Sequence, residues 1–300
     1  MTVSISDHGG GFDLTLELDT DRFMPGRLAN GLLRIKSRNG GDFRGARVSL
    51  DGTESWRYEV TTSDAQGHTR TETRTGTEDL PSTPVALAGA TTLAPGETRE
   101  LPFQLPVPGL GPATFDGTEL RVDWSVRAHL DIAGLDPSVE MAVVVLQPTA
   151  LLRAGVVTVP EFALYPAAEG EADGFRGSIW LDPSPLCVGH SFKGRLDLET
   201  GEARKVQEVR LELRIQAEAT VSRGRKETIT IWVGQLAGEG EFGGGRQSFP
   251  FQGNVPERWL PTIETPHGRS DPEFHVIIAV AWARDPHLVR DVAICSTTEL

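Results

Sequence analysis

Apolar and polar residues alternate along most of this chain, and that pattern limits what it can fold into. Leu14, Leu16 and Leu18 alternate with Thr15 and Glu17, and Leu33 and Ile35 with Arg34 and Lys36. Val48 and Leu50, Val122, Trp124 and Val126, Leu196 and Leu198, and the run Val209, Leu211, Leu213, Ile215 repeat the pattern. Period two is the signature of a half-buried strand. No window of a dozen residues carries a helical stripe. Glycine and proline, 33 and 20 of 300 residues, punctuate the runs, as strands joined by many turns require. The expected class is all-β, with antiparallel sheets packed as sandwiches that turn one side of each strand inward.

The length suggests about two domains, and the sequence repeats on that scale. Shifted by 163 positions, Gly11 to Ile35 aligns without a gap on Gly174 to Leu198, with seven identities in 25 positions. About two would be expected from composition alone. Gly11-Phe12 meets Gly174-Phe175, Gly26 meets Gly189, and Gly31 meets Gly194. Further on, Pro102-Phe103-Gln104 answers Pro250-Phe251-Gln252. The reading is two copies of one β-sandwich, residues 1–153 and 154–300, with a joining segment at about 147–173. A unit of that size buries about 70% of its unfolded-chain surface, so its core needs neither a disulfide nor a metal.

The residues of the first copy fall in a recognisable order. Phe23-Met24-Pro25-Gly26 ends an early strand and Gly31 opens the next; Val48-Ser49-Leu50-Asp51-Gly52 leads to Trp56. After a long polar stretch come Leu93-Ala94-Pro95-Gly96-Glu97, Leu101-Pro102-Phe103-Gln104-Leu105-Pro106, and Pro112-Ala113-Thr114-Phe115-Asp116-Gly117. Val122 to Leu130 closes the series. This half resembles the arrestin N-terminal domain, as found in α-arrestins and their bacterial relatives. The second half, from Val188-Gly189 through Phe249-Pro250-Phe251 and Val255-Pro256 to Ile277, is similar to the arrestin C-terminal domain. The resemblance implies an adaptor or scaffold that binds proteins through sandwich surfaces and loops. Two features of the family do not carry over. Shortly after the apolar stretch Val289 to Ile294 the sequence stops at Leu300, so no displaceable tail is expected. No Pro-Pro-x-Tyr motif occurs, the tyrosines being Tyr58 and Tyr165.

Charge and chemistry narrow the function further. Lysine and arginine total 29 against 42 acidic residues, a net charge of −13, and both halves are acidic. Nucleic acid and anionic membranes demand clustered positive charge, so neither is the expected partner. Met1 to Asp7 has no basic or apolar leader segment, and the apolar run Val276 to Ala283 is far short of the roughly 20 residues of a membrane span. The expectation is a cytoplasmic protein without an integral membrane segment. Lysine occurs only at positions 36, 193, 205 and 226, an arginine bias that reads as a GC-rich bacterial genome.

Several motifs imitate catalytic ones. Gly238-Glu239-Gly240-Glu241-Phe242-Gly243 fits G-x-G-x-x-G, but two glutamates would repel a pyrophosphate and no helix follows; it reads as a flexible hairpin loop. Gly189 to Gly194 is one residue too long for a nucleophile elbow and aligns with the Pro25-Gly26 turn. His267, Asp271 and His275 have metal-ligand spacing only on a helix, which Pro266, Gly268 and Pro272 forbid. Trp180, Trp232, Trp259 and Trp282 read mainly as core, with a sugar-binding face as the alternative. Cys187 and Cys295 read as buried thiols. No catalytic residue, cofactor or metal site is expected.

Two surface features remain. His68-Thr69-Arg70-Thr71-Glu72-Thr73-Arg74-Thr75 alternates like a strand yet has no apolar side, so it reads as an exposed edge or protruding arm with Arg70 and Arg74 projecting together. Ser222-Arg223-Gly224-Arg225-Lys226 is a basic turn that could pair with a phosphate or an acidic peptide. Arg70, Arg74, Arg223, Arg225 and Lys226 are therefore the candidate partner-binding residues. The expected function is a non-catalytic adaptor with a protein partner; a ligand- or carbohydrate-binding tandem sandwich is the alternative and an enzyme with an unrecognised site the third. An open sandwich edge also leaves room for a homodimer.

Overall fold

The strand Phe12–Leu18 shows how alternation becomes structure: Phe12, Leu14, Leu16 and Leu18 are buried, and the residues between them are partly exposed. The computed structural model describes residues 2–64, 66–280 and 285–298. Antiparallel strands dominate them, and the helical elements are the short helix Thr149–Arg153 and the 3-10 turn Glu161–Leu164. The fold is an all-β sandwich class, as the periodicity requires.

The chain divides into two compact units. The first comprises Met1–Ser55, Thr77–Thr114 and Arg121–Leu146; the second comprises Trp56–Gly76, Phe115–Leu120 and Gln147–Leu300. Contiguous halves of the sequence are therefore not the compact units: the tip of one long hairpin and a short segment before Leu120 associate with the second.

In the first unit a four-stranded sheet runs in the order Val3–Gly9, Phe12–Leu18, Leu28–Ser37, Thr98–Pro106. A second sheet has the order Arg22–Phe23, Ser138–Val145, Leu120–Ile132, Gly41–Ser63, Thr69–Ala88. Leu33, Ile35, Leu101 and Leu105 of one sheet and Val48, Leu50, Val122 and Val126 of the other are buried. Phe12 meets Phe43 edge-on, ring centroids 6.3 Å apart, joining the two sheets by the geometry aromatic pairs prefer.

In the second unit a four-stranded sheet has the order Ala167–Ala172, Phe175–Asp182, Ser191–Thr200, Gly245–Asn254. The larger sheet runs Lys226–Ala237, Arg204–Ala219, Gly268–Val280, His287–Asp291. Phe192, Trp232, Phe251 and Phe274 pack together, with Phe192 and Trp232 centroids 5.2 Å apart. Trp232 is half-buried and packs its ring into this aromatic cluster; Trp282 lies outside the described residues.

The two four-stranded sheets share a strand order and a close contact. Gly31 lies opposite Phe103, and Gly194 opposite Phe251. A Cβ on Gly31 would fall 2.3 Å from the Phe103 ring, and one on Gly194 would fall 2.3 Å from the Phe251 ring. Only glycine leaves room for the ring in each sheet, which explains why these glycines align in sequence. Gly26 and Gly189, at φ +73° and +75°, occupy matching turns in the left-handed region that glycine alone enters freely.

Two sequence expectations need correction. Residues 167–172 are an edge strand of the second unit rather than part of a linker. Ala-Ala-Glu-Gly-Glu-Ala shows no alternation because, paired on one side only, it buries little. The loop at Gly238 to Gly243 contains the short strand Gly240–Phe242, which pairs with Arg204 to Val206 and buries Phe242.

Arg290, 4% exposed, anchors the segment before that edge strand. Its guanidinium donates to the carbonyls of Tyr165, Pro166 and Ile179, the last at 2.9 Å. Burial pulls its pKa down to about 10.

Phe103→Ala is expected to destabilise the protein by about 3–5 kcal/mol, the usual cost of truncating a core phenylalanine. Urea unfolding measures this; an unchanged midpoint would place the ring outside the core.

Candidate functional site

The long hairpin made by Gly41–Ser63 and Thr69–Ala88 ends in the polar arm. Threonine and serine favour extended backbone here because their hydroxyls meet across the ribbon: Thr61 with Thr71 at 3.3 Å and Ser63 with Thr69 at 3.5 Å. At the tip, Asp64 Oδ1 accepts from the backbone N–H groups of Gln66 and His68, each at 2.9 Å. These bonds, led by that of His68, hold the Asp64 carboxyl below the usual carboxylate range. Gly67 at φ +82° lets the chain reverse.

Arg70 and Arg74 are exposed, with side-chain accessibilities of 80% and 53%. Both lie beside Glu72, Arg70 Nε at 3.2 Å and Arg74 Nη2 at 3.9 Å. One carboxylate between two guanidiniums leaves the row with net positive charge on an acidic protein. The strand that carries it is the last in its sheet, so its outer backbone groups have no strand partner there among the described residues.

The basic turn has a different environment. The backbone of Arg57 to Glu59 pairs with it: Glu59 N–H donates to Arg223 O at 2.9 Å, and Arg225 N–H donates to Arg57 O at 3.0 Å. Arg225 Nε donates to Glu119 at 2.9 Å and Nη1 to Glu59 at 3.0 Å. Glu119 is nearly buried. Lys226 pairs with Glu218, which Arg269 also contacts at 2.8 Å. The Lys226 hydrogen bond chiefly, opposed by burial and helped by Arg269, holds Glu218 below its ordinary value. Arg225 and Lys226 thus have their charge matched within the second unit. Arg223, at φ +58°, is the member of the turn left without an ion pair among the described residues. Sequence spacing could not reveal this, because Glu59 and Glu119 lie 166 and 106 residues from Arg225.

Nearby, Trp56 stacks on His267, centroids 3.7 Å apart and planes 6° from parallel. Gly76 lies against the indole, where a Cβ would come within 2.5 Å. His267 is thereby occupied, and His275 faces Glu273 at 2.7 Å. No group of three metal-ligating side chains occurs among the described residues.

A second polar feature, absent from the sequence reading, is a shallow cleft of about 480 Å³ on the outer side of the four-stranded sheet of the second unit. Asp197, 6% exposed, lies in it and accepts from Ser248 at 2.5 Å, Arg246 at 2.6 Å and Arg195 at 3.1 Å. Burial alone would raise its pKa, but Ser248 and the two arginines outweigh burial and lower it. Trp180, 39% exposed, occupies the adjoining cross-strand row opposite Arg195.

The chain matches no protein-family model and no curated protein sequence.

Arg225→Ala is expected to cost about 1–2 kcal/mol, because it strips a nearly buried Glu119 of its cation; urea unfolding reads it. Glu218 gives a pH signature. Its folded pKa lies below 4.5, so its contribution is complete above that value and fades as pH falls through the folded pKa. Glu218→Gln should therefore be destabilised at pH 7 and converge on wild type in acid.

Proposed function

We propose that the protein is a non-catalytic, arrestin-like adaptor of the cytoplasm that takes an acidic extended segment of a partner protein along the arm. The observation that carries this reading is that the strand Thr69–Ala88 ends its sheet, its outer edge unpaired among the described residues and bordered by exposed Arg70 and Arg74. Edge addition supplies main-chain hydrogen bonds, and side chains alongside supply selectivity. Prolines interrupt two other edges at Pro102 and Pro250, where they remove donors. In the arm no proline occurs between Thr69 and Leu80. Arginines beside an added strand suit carboxylates or phosphates, which they can bind in a bidentate manner.

A second reading, a carbohydrate-binding surface, is favoured by the exposed indole of Trp180 next to the polar Asp197 cleft. An aromatic face beside convergent polar groups is the usual way to hold a sugar ring. A glycan array separates it from the first.

The double variant Arg70→Ala/Arg74→Ala is expected to keep its stability within about 0.5 kcal/mol, as exposed sites do, and to bind the partner recovered by affinity capture from the source cell at least several-fold more weakly. The paired measurements are a thermal melt and a binding titration. Undiminished binding defeats the arm as the site, and a large loss of stability defeats its exposure.

A further inference from the structure

Cys187 and Cys295 lie 108 residues apart in sequence, yet the fold sets them side by side. The strands Leu186–Cys187 and Ile294–Cys295 form a two-stranded parallel sheet in which Cys187 faces Cys295 directly. Val188 N–H donates to Cys295 O and Leu186 N–H to Ala293 O, each at 2.9 Å, fixing that register. Directly opposed residues on neighbouring strands are about 4.8 Å apart, inside the roughly 4.4–6.8 Å span of Cα atoms that a disulfide bridges. Both thiols are free and buried, among Leu152, Val157 and Ala293.

We propose that Cys187 and Cys295 are a modification site, a dithiol that a hydroperoxide converts into an intrachain disulfide fastening the strand Ile294–Cys295 to Leu186–Cys187.

The surroundings divide the work between the sulfurs. Thr149 Oγ1 donates to Cys295 Sγ at 3.2 Å. The Cys295 thiol itself donates to Leu186 O at 3.2 Å; hydrogen bonds from Cys187 and Thr149 draw its pKa down against burial, while the Cys187 thiol is pushed up and keeps its proton. When the site opens, the Cys295 thiol gives its proton to solvent and the thiolate attacks the peroxide oxygen; the O–O bond breaks, an S–O bond forms, and the departing alkoxide or hydroxide takes a proton back from solvent. The products are a sulfenic acid and an alcohol, or water from hydrogen peroxide. The Cys187 sulfur then attacks the Cys295 sulfur. The S–S bond forms, the S–O bond breaks, and hydroxide leaves with the Cys187 proton as water. Two thiols and one hydroperoxide give one disulfide, one alcohol and one water. Both residues being buried, the oxidant reaches them when the two-residue strand pair opens locally.

The test treats the full chain at neutral pH with a slight excess of hydrogen peroxide. Alkylation under denaturing conditions counts thiols, and peptide mass mapping locates the bond. The expected result is loss of both thiols in a chain that remains unlinked to other chains, a peptide joining Cys187 to Cys295, and a melting temperature that rises and returns after dithiothreitol. Cys187→Ala should stop at a sulfenic acid on Cys295 that dimedone traps, with no rise in melting temperature. Thr149→Val should slow the reaction several-fold without changing its product. Thiols that survive until the protein is denatured, a sulfinic acid in place of the disulfide, or chain-to-chain crosslinks would each overturn the proposal. If Cys187→Ala fails to fold, the wild-type peptide map decides alone.

Discussion

Each four-stranded sheet depends on a phenylalanine ring lying over a glycine on the neighbouring strand. Phe103 covers Gly31 and Phe251 covers Gly194, at a separation no other residue permits. The ring takes the volume a Cβ would occupy, and strand register follows, because a slip by one residue would send every side chain to the opposite face. Alternating leucines, isoleucines and valines fill the remaining interior. This explains why the repeat keeps its glycines and phenylalanines while its outward positions diverge. Arg34 and Asp197 align under the same shift of 163 positions. The first is a cation between Glu17 and Glu100; the second is an anion between Arg195 and Arg246. Water tolerates either arrangement, but the inner side of the sheet tolerates only one.

Polar groups inside the protein follow a stricter rule. An unpaired buried charge costs several kcal/mol, and the structure meets that cost locally. Glu119 has Arg225, and Asp197 has two arginines and a serine. Arg290, with no carboxylate partner among its hydrogen bonds, spreads its charge over three carbonyls. Arginine suits these positions because its planar, weakly hydrated fork forms several bonds in fixed directions. The buried Cys295 thiol is a milder case: it accepts from Thr149 Oγ1 and donates to Leu186 O, each at 3.2 Å.

The arm and the basic turn, two separate motifs along the chain, become one structural feature. The backbone of Arg57 to Glu59 pairs with the turn, and Arg225 ties them through Glu59. The charges of Arg225 and Lys226 that looked available in the turn are matched, whereas Arg223 has no ion pair among the described residues and Arg70 and Arg74 share the one carboxylate of Glu72.

The sequence by itself determined the all-β class, the antiparallel alternation, the turn glycines, the exposed polar arm and the burial of both cysteines. Those features depend on local periodicity and side-chain hydrophobicity, which any short window contains. The tertiary structure alone decided that residues 56–76 associate with the second unit, that 167–172 is an edge strand, that Arg225 and Lys226 are already paired, and that Cys187 faces Cys295. Each of these is a contact between residues far apart in the chain. Charge complementarity and strand pairing act through space over a few ångströms, and sequence distance says nothing about which distant residues come that close.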